Sequence, residues 1–158
     1  MRMRAIACAI TVTAAAGGAL APVAQTAVPK KKTVTCHFNV FIQSFPTATA
    51  PGLNFSVVRC SGPFGRGVQR DTFTLAPKTP TTGTAVLTFK AYFDTGTVSG
   101  VWRADYEFTS ATSGTFKQKV TWSGGTGAFK HVRGTGSGTG LETGMRGTVD
   151  QRIAVTGL

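Results

Sequence analysis

The sequence predicts an all-β protein, a single small antiparallel barrel of about eight strands preceded by a signal peptide. Three observations carry this expectation. Apolar residues recur at period two, not 3.6, through almost all of the chain beyond residue 32. Gly, Pro, Asn and Asp clusters cut that pattern into short, evenly spaced runs with no helical run between them. The 20 glycines crowd with threonine in the second half, where a helical bundle would carry Leu, Glu and Lys. At 158 residues there is room for one domain, and 41% hydrophobic residues is too apolar for a disordered polycation despite the formal charge of +11.

The chain begins Met1-Arg2-Met3-Arg4 and continues in an Ala-rich, uncharged stretch to about Ala24, broken by Gly17, Gly18 and Pro22. A short basic start before a weakly apolar run reads as a secretory signal peptide over residues 1–27, which places the protein outside the cell. A basic arm, 28–32, containing Lys30, Lys31 and Lys32, follows it, and the barrel domain occupies 33–158. Cleavage removes Arg2 and Arg4, taking +11 to +9, and also removes Cys8. Cys36 and Cys60 then form an even pair in an oxidising compartment, where a disulfide is expected. No metal is expected at them, since neither has a CxxC partner and only His37 is near.

The first strand is 33–42, with Val34, Cys36, Phe38, Val40 and Ile42 on one face and Thr33, Thr35, His37, Asn39 and Phe41 on the other. Similar alternation defines 54–60, 68–75, 84–93, 97–109, 114–123, 133–141 and 144–156. The breaks fall at Pro51-Gly52, Ser61-Gly62-Pro63, 76–83, Asp94-Thr95-Gly96, 110–114 and 124–127. Such a series folds as antiparallel hairpins, either closed into a barrel or layered as a sandwich.

The aromatic strand faces are the candidate ligand contacts. Trp102, Tyr106 and Phe108 share a face with Val98 and Ala104; Phe89 and Phe93 share one with Leu87; Trp122 lies on the face of Phe116 and Val120. An eight-stranded barrel either fills with side chains or holds one small ligand, and both readings stay open for these residues. Asp105 and Glu107, beside Arg103, have a spacing that suits paired carboxylates, but they face away from the aromatics and read as a solvated charge ladder. Asp71, Asp94, Glu142 and Asp150 are scattered, and His37 and His131 sit in no catalytic motif. For an interior acid or base, the candidates are Tyr106, Arg133 and Asp71. No cofactor motif is present. The glycine-rich segment 124–140 is not a phosphate loop, because it lacks a GKS/T ending and opens no helix. The basic residues are dispersed and lack the aromatic interleaving of an RNA-binding sheet, so no nucleic acid is expected, though an anionic cell-surface polymer suits the charge. Short turns and a Gly157-Leu158 terminus argue against stable membrane insertion as an outer-membrane barrel.

Segment 124–134, GGTGAFKHVRG, resembles the GGTGxFxxxRG signature of dirigent proteins and, more loosely, of allene oxide cyclases. The resemblance extends over 114–158. It implies an eight-stranded barrel, commonly trimeric, that binds a hydrophobic or phenolic molecule, and in some members cyclises it or steers its coupling. Gly124, Gly125 and Gly127 match as the structural turn, Phe129 as its anchor, and Arg133 as the basic residue. Val132 stands where the family carries a small residue. After the turn, Gly134, Gly136, Gly138 and Gly140 give a strand with an all-glycine face, which leaves room for bulky neighbours, a tight bend or a ligand.

Overall fold

A computed structural model describes residues 30–158. The expected leader, 1–27, lies outside the described residues. Eight strands follow one another: β1 Lys32–Ser44, β2 Gly52–Cys60, β3 Gly65–Pro77, β4 Thr82–Phe93, β5 Gly96–Ser110, β6 Ser113–Gly125, β7 Arg133–Thr143 and β8 Arg146–Thr156. Each pairs antiparallel with the next, and β8 returns to β1 through a register running from Lys32↔Val155 to Phe41↔Arg146, so the barrel is closed. Closure leaves no free edge for another chain to pair with. The single 3₁₀ turn among the described residues is Gly127–Phe129 between β6 and β7. No helix among them is long and apolar enough to cross a membrane.

The period-two reading places the inward faces correctly. Val34, Cys36, Phe38, Val40 and Ile42 are buried while Thr33, Thr35, His37, Asn39 and Phe41 are exposed. Most strands run one to three residues beyond the expected bounds, and two starts have a clear cause. β3 begins three residues early, at Gly65, because ladder pairing to β2 continues past the apolar pattern as far as Cys60↔Gly65. β8 begins at Arg146 and not at Gly144, because Gly144 takes φ +62° in the tight β7–β8 turn.

Cys36 and Cys60 face each other in the β1–β2 register and are disulfide-bonded across 24 residues of sequence. Closing that loop restricts the unfolded chain. Replacing both cysteines by serine is expected to cost about 3 kcal/mol, read as a lower urea midpoint with an unchanged native spectrum.

Two ends of the barrel differ in kind. At one end, Phe64 from the β2–β3 turn stacks on Phe129 at 4.4 Å and meets Trp122 at 5.1 Å and Phe93 at 5.5 Å. Together with fully buried Val132 they form an aromatic plug. The glycine face of β7 explains the cross-section. A Cβ on Gly136 would run into the Arg152 carbonyl and the Ile153 backbone, and one on Gly134 would press on Val155 and Ile153. Of the three uses open to that face, bulky neighbours are the one shown: the β8 backbone and the Val155, Ile153 and Val149 side chains fill the space beside it and leave no slot.

Candidate functional site

At the other end of the barrel, aromatics such as Phe45, Phe73, Phe108 and Phe116 line a cavity instead of closing it. A cavity of about 70 Å³ lies among Val40, Leu87, Trp102, Ala104, Phe116 and Val149, with Asn54, Gln118 and Glu142 as its polar lining. It shares Phe45, Phe108 and Glu142 with an outer vestibule of about 540 Å³ formed by the loops around Pro80, Ala111 and Met145. Register shifts break the ladder at Ile42/Ser44 and Phe108/Ser110, both on this rim. Bulges of this kind bend a strand and re-aim the side chains beside it.

Polar groups set this interior apart from an ordinary β core. Asn54, Ser56, Gln69, Asp71, Gln118 and Gln151 are all buried. Asn54 Oδ1, Trp102 Nε1 and Gln118 Nε2, all on residues lining the cavity, have no hydrogen-bond partner, and neither have Ser56 Oγ, Asp71 Oδ2 and the two polar atoms of the Gln151 amide. Buried polar groups are nearly always paired, so a cluster of unpaired ones around a cavity points to a polar molecule that belongs there.

Two carboxyls in this region are displaced from their ordinary behaviour. Asp71 is fully buried on β3, where Gln69 Nε2 donates to its Oδ1 at 2.7 Å. Burial raises its pKa to about 7, against a smaller lowering by that hydrogen bond. Glu142, at the inner end of the vestibule, is likewise pushed up to about 7 by burial.

The candidate ligand residues separate into two groups. Trp102 and Phe108 line the cavity. Phe89 packs on the Trp102 ring at 5.7 Å, with Phe38 edge-on to it at 5.1 Å, and Tyr106 packs on Phe108 at 5.1 Å. Phe93 and Trp122 belong to the plug at the far end. Of the acid–base candidates, Asp71 is interior and Tyr106 is buried near the mouth. Arg133 is exposed at the plug end, where its Nη1 donates to the Val132 carbonyl at 2.9 Å. Gly127 takes φ +58° so that the chain can turn, and Phe129 enters the plug, fully buried. Gly124 and Gly125 sit at the end of β6, so the GGTGAF segment shapes the closed end and not the cavity.

Glu142 stood among the scattered acids, yet it continues the inward parity of Gly136, Gly138 and Gly140. Asp71 shares its parity with Phe73 and Gln69 in the same way. His37 and Asp150, far apart in sequence, are register partners whose side chains meet at 2.7 Å on the outer face. Asp105 and Glu107 are exposed, and Asp105 reaches only Lys78, at 3.8 Å.

No family model matches the chain. No curated protein matches it significantly. Among solved structures, a pyocyanin demethylase aligns with 80% of this chain and 100% of its own at 13% identity, with a TM-score of 0.43, a likeness too distant to carry an argument.

Proposed function

We propose that this protein is a secreted barrel that binds a small, largely apolar molecule in its open half. The observation that carries the reading is the joined cavity and vestibule, apolar-walled but lined by Asn54, Trp102 and Gln118, each with an unpaired polar atom. Two donors and one acceptor in an apolar wall suit a hydrophobic or phenolic compound with a few oxygen functions. The ligand's apolar body rests on Phe108, Phe116 and Leu87. The disulfide suits an extracellular setting. The resemblance to dirigent proteins and allene oxide cyclases supports the same reading and adds the expectation of a homotrimer, which sedimentation would check.

Trp102 supplies the test, because it lines the cavity while Trp122 is held in the plug. In a Trp122→Phe background, small phenols and cyclic ketones are expected to change the remaining fluorescence saturably. Gln118→Leu removes one donor and should weaken an oxygen-bearing ligand about tenfold. Ala104→Phe, which fills the cavity, should abolish the response. A response indifferent to both substitutions would place the ligand elsewhere.

A second reading, association with an anionic surface polymer, is favoured by one observation. Residues dispersed in sequence are aligned by register on the outer face of β2–β4, where Arg59 pairs with Arg66 and Arg70 with Lys90, with no acid between them. That contact would weaken steeply with salt. The same charged outer rows are what a lipid-facing barrel surface lacks, which supports the absence of membrane insertion.

A further inference from the structure

The ligand-holding half of the barrel contains more than binding requires. Glu142 is the one ionisable side chain, among the described residues, that lines either the cavity or the vestibule. Its ladder partners are Gly114 on β6 and Gly147 on β8, so no charged group faces it from the adjoining strands. Asp71 lies deeper, on β3, as the register partner of Asn54. On the inner side of the same cavity, Trp102 Nε1 and Gln118 Nε2 are buried donors with nothing to donate to. Gln118 is the register partner of Gly138, four residues before Glu142 on β7. At about 3.3 Å per residue the two positions are roughly 13 Å apart along the strand, and both side chains line the same cavity.

We infer that this half of the barrel catalyses proton transfer on a small cyclic ketone, with Glu142 as the base beside the carbonyl and the Trp102 and Gln118 N–H groups holding the carbonyl oxygen. The inference rests on the ligand-holding reading. In the forward step the C–H bond next to the carbonyl breaks and its proton bonds to a Glu142 carboxylate oxygen. The C–H electron pair becomes the new C=C bond, and the carbonyl π pair moves onto oxygen. The two donors then face an oxyanion in a site shielded from water, where such bonds strengthen as charge develops. When the Glu142 carboxyl has traded its proton with water at the vestibule, returning a solvent proton to the same carbon completes exchange, and returning a proton to a conjugated carbon isomerises the molecule. Atoms and electrons balance without a co-reactant.

The surroundings select the substrate class. No cation lines the cavity to hold a carboxylate or phosphate, and ionised Glu142 repels anions at the entrance, so the substrate is uncharged and apolar apart from its oxygen. Burial also keeps the Glu142 carboxyl poised near neutrality, where a base is strong enough to take a proton and still partly ionised.

The test uses the whole protein in D2O with cyclohexanone and β-tetralone as probes, following loss of the α-proton NMR signals. Binding is followed in parallel by Trp102 fluorescence. Expected is exchange at least about 100-fold faster than in buffer for one or more probes, rising with pH through the Glu142 titration. Glu142→Gln should remove the acceleration while leaving the fluorescence response. Glu142→Asp, which keeps a carboxyl, should retain part of it, so misfolding of one variant does not decide the outcome. Gln118→Leu should slow exchange without moving the pH midpoint. Saturable binding with exchange at the buffer rate, or acceleration surviving in Glu142→Gln, overturns the inference and leaves the binding reading standing. No fluorescence response to any probe at millimolar concentration overturns both for this class of molecule.

Discussion

Asp71→Asn is expected to stabilise the protein at pH 8 and to leave it nearly unchanged at pH 4. The folded state holds the Asp71 carboxyl in a fully buried site where its pKa is about 7, against 3.8 as the ordinary value. Well below pH 3.8 both folded and unfolded chains carry it protonated. As pH rises from there, the unfolded chain ionises and gains the solvation of a charge, while the folded chain keeps the proton until about pH 7. Stability contributed by the neutral carboxyl is therefore complete well below pH 3.8 and lost by the time pH has passed 7. A difference of about three pH units corresponds to about 4 kcal/mol at most. Asparagine keeps the acceptor for Gln69 Nε2 and carries no proton to lose, so it escapes that loss. Urea unfolding of both proteins at pH 4, 6 and 8 should give a gap that opens with pH. A gap of the opposite sign at pH 8 would mean that the ionised carboxylate is well solvated in its site.

Phe129→Ala should lower stability by about 3–5 kcal/mol, the usual cost of emptying a buried aromatic site. Phe129 is fully buried, stacked on Phe64 at an interplanar angle of 19° and edge-on to Phe93 at 5.8 Å. It is also the buried residue of the 3₁₀ turn. Without the ring, the turn keeps its hydrogen bonds from Phe129 N to the Thr126 carbonyl and from Val132 N to the Phe129 carbonyl, but loses what pins it to the barrel. Phe129→Leu should recover part of the loss. The plug and the cavity are at opposite ends, so ligand-induced fluorescence of Trp102 in folded Phe129→Ala should match the parent. A change in affinity with no change in stability would show the two ends to be coupled.

Particular residues show how much could be read from the chain. Trp102, Ala104, Tyr106 and Phe108 alternate with Arg103, Asp105 and Glu107, and the apolar set turned inward because burying it lowers the free energy far more than burying the charged set would. Cys36 and Cys60 are the two cysteines beyond residue 27, and the β1–β2 register sets them opposite each other. Asp71 was kept as an interior candidate but Glu142 was passed over, though the parity of each marks it as inward, because a buried carboxyl without a partner runs against the same rule that orders the rest. The cavity that Glu142 lines is built from strands distant in sequence, and pattern along one strand carries no information about register between strands.

By itself, then, the sequence determined the class, the strand count, the inward faces and the disulfide, since each depends on side-chain alternation or residue identity within a short segment. Only the tertiary structure decided between sandwich and barrel from the residues, and which end of the barrel is filled. Closure pairs β8 with β1, and the loop residues Phe64 and Phe129 plug one end while the other keeps a cavity beside unpaired polar groups. Those outcomes depend on where the loops deliver bulk once the sheet has closed, which no local periodicity encodes.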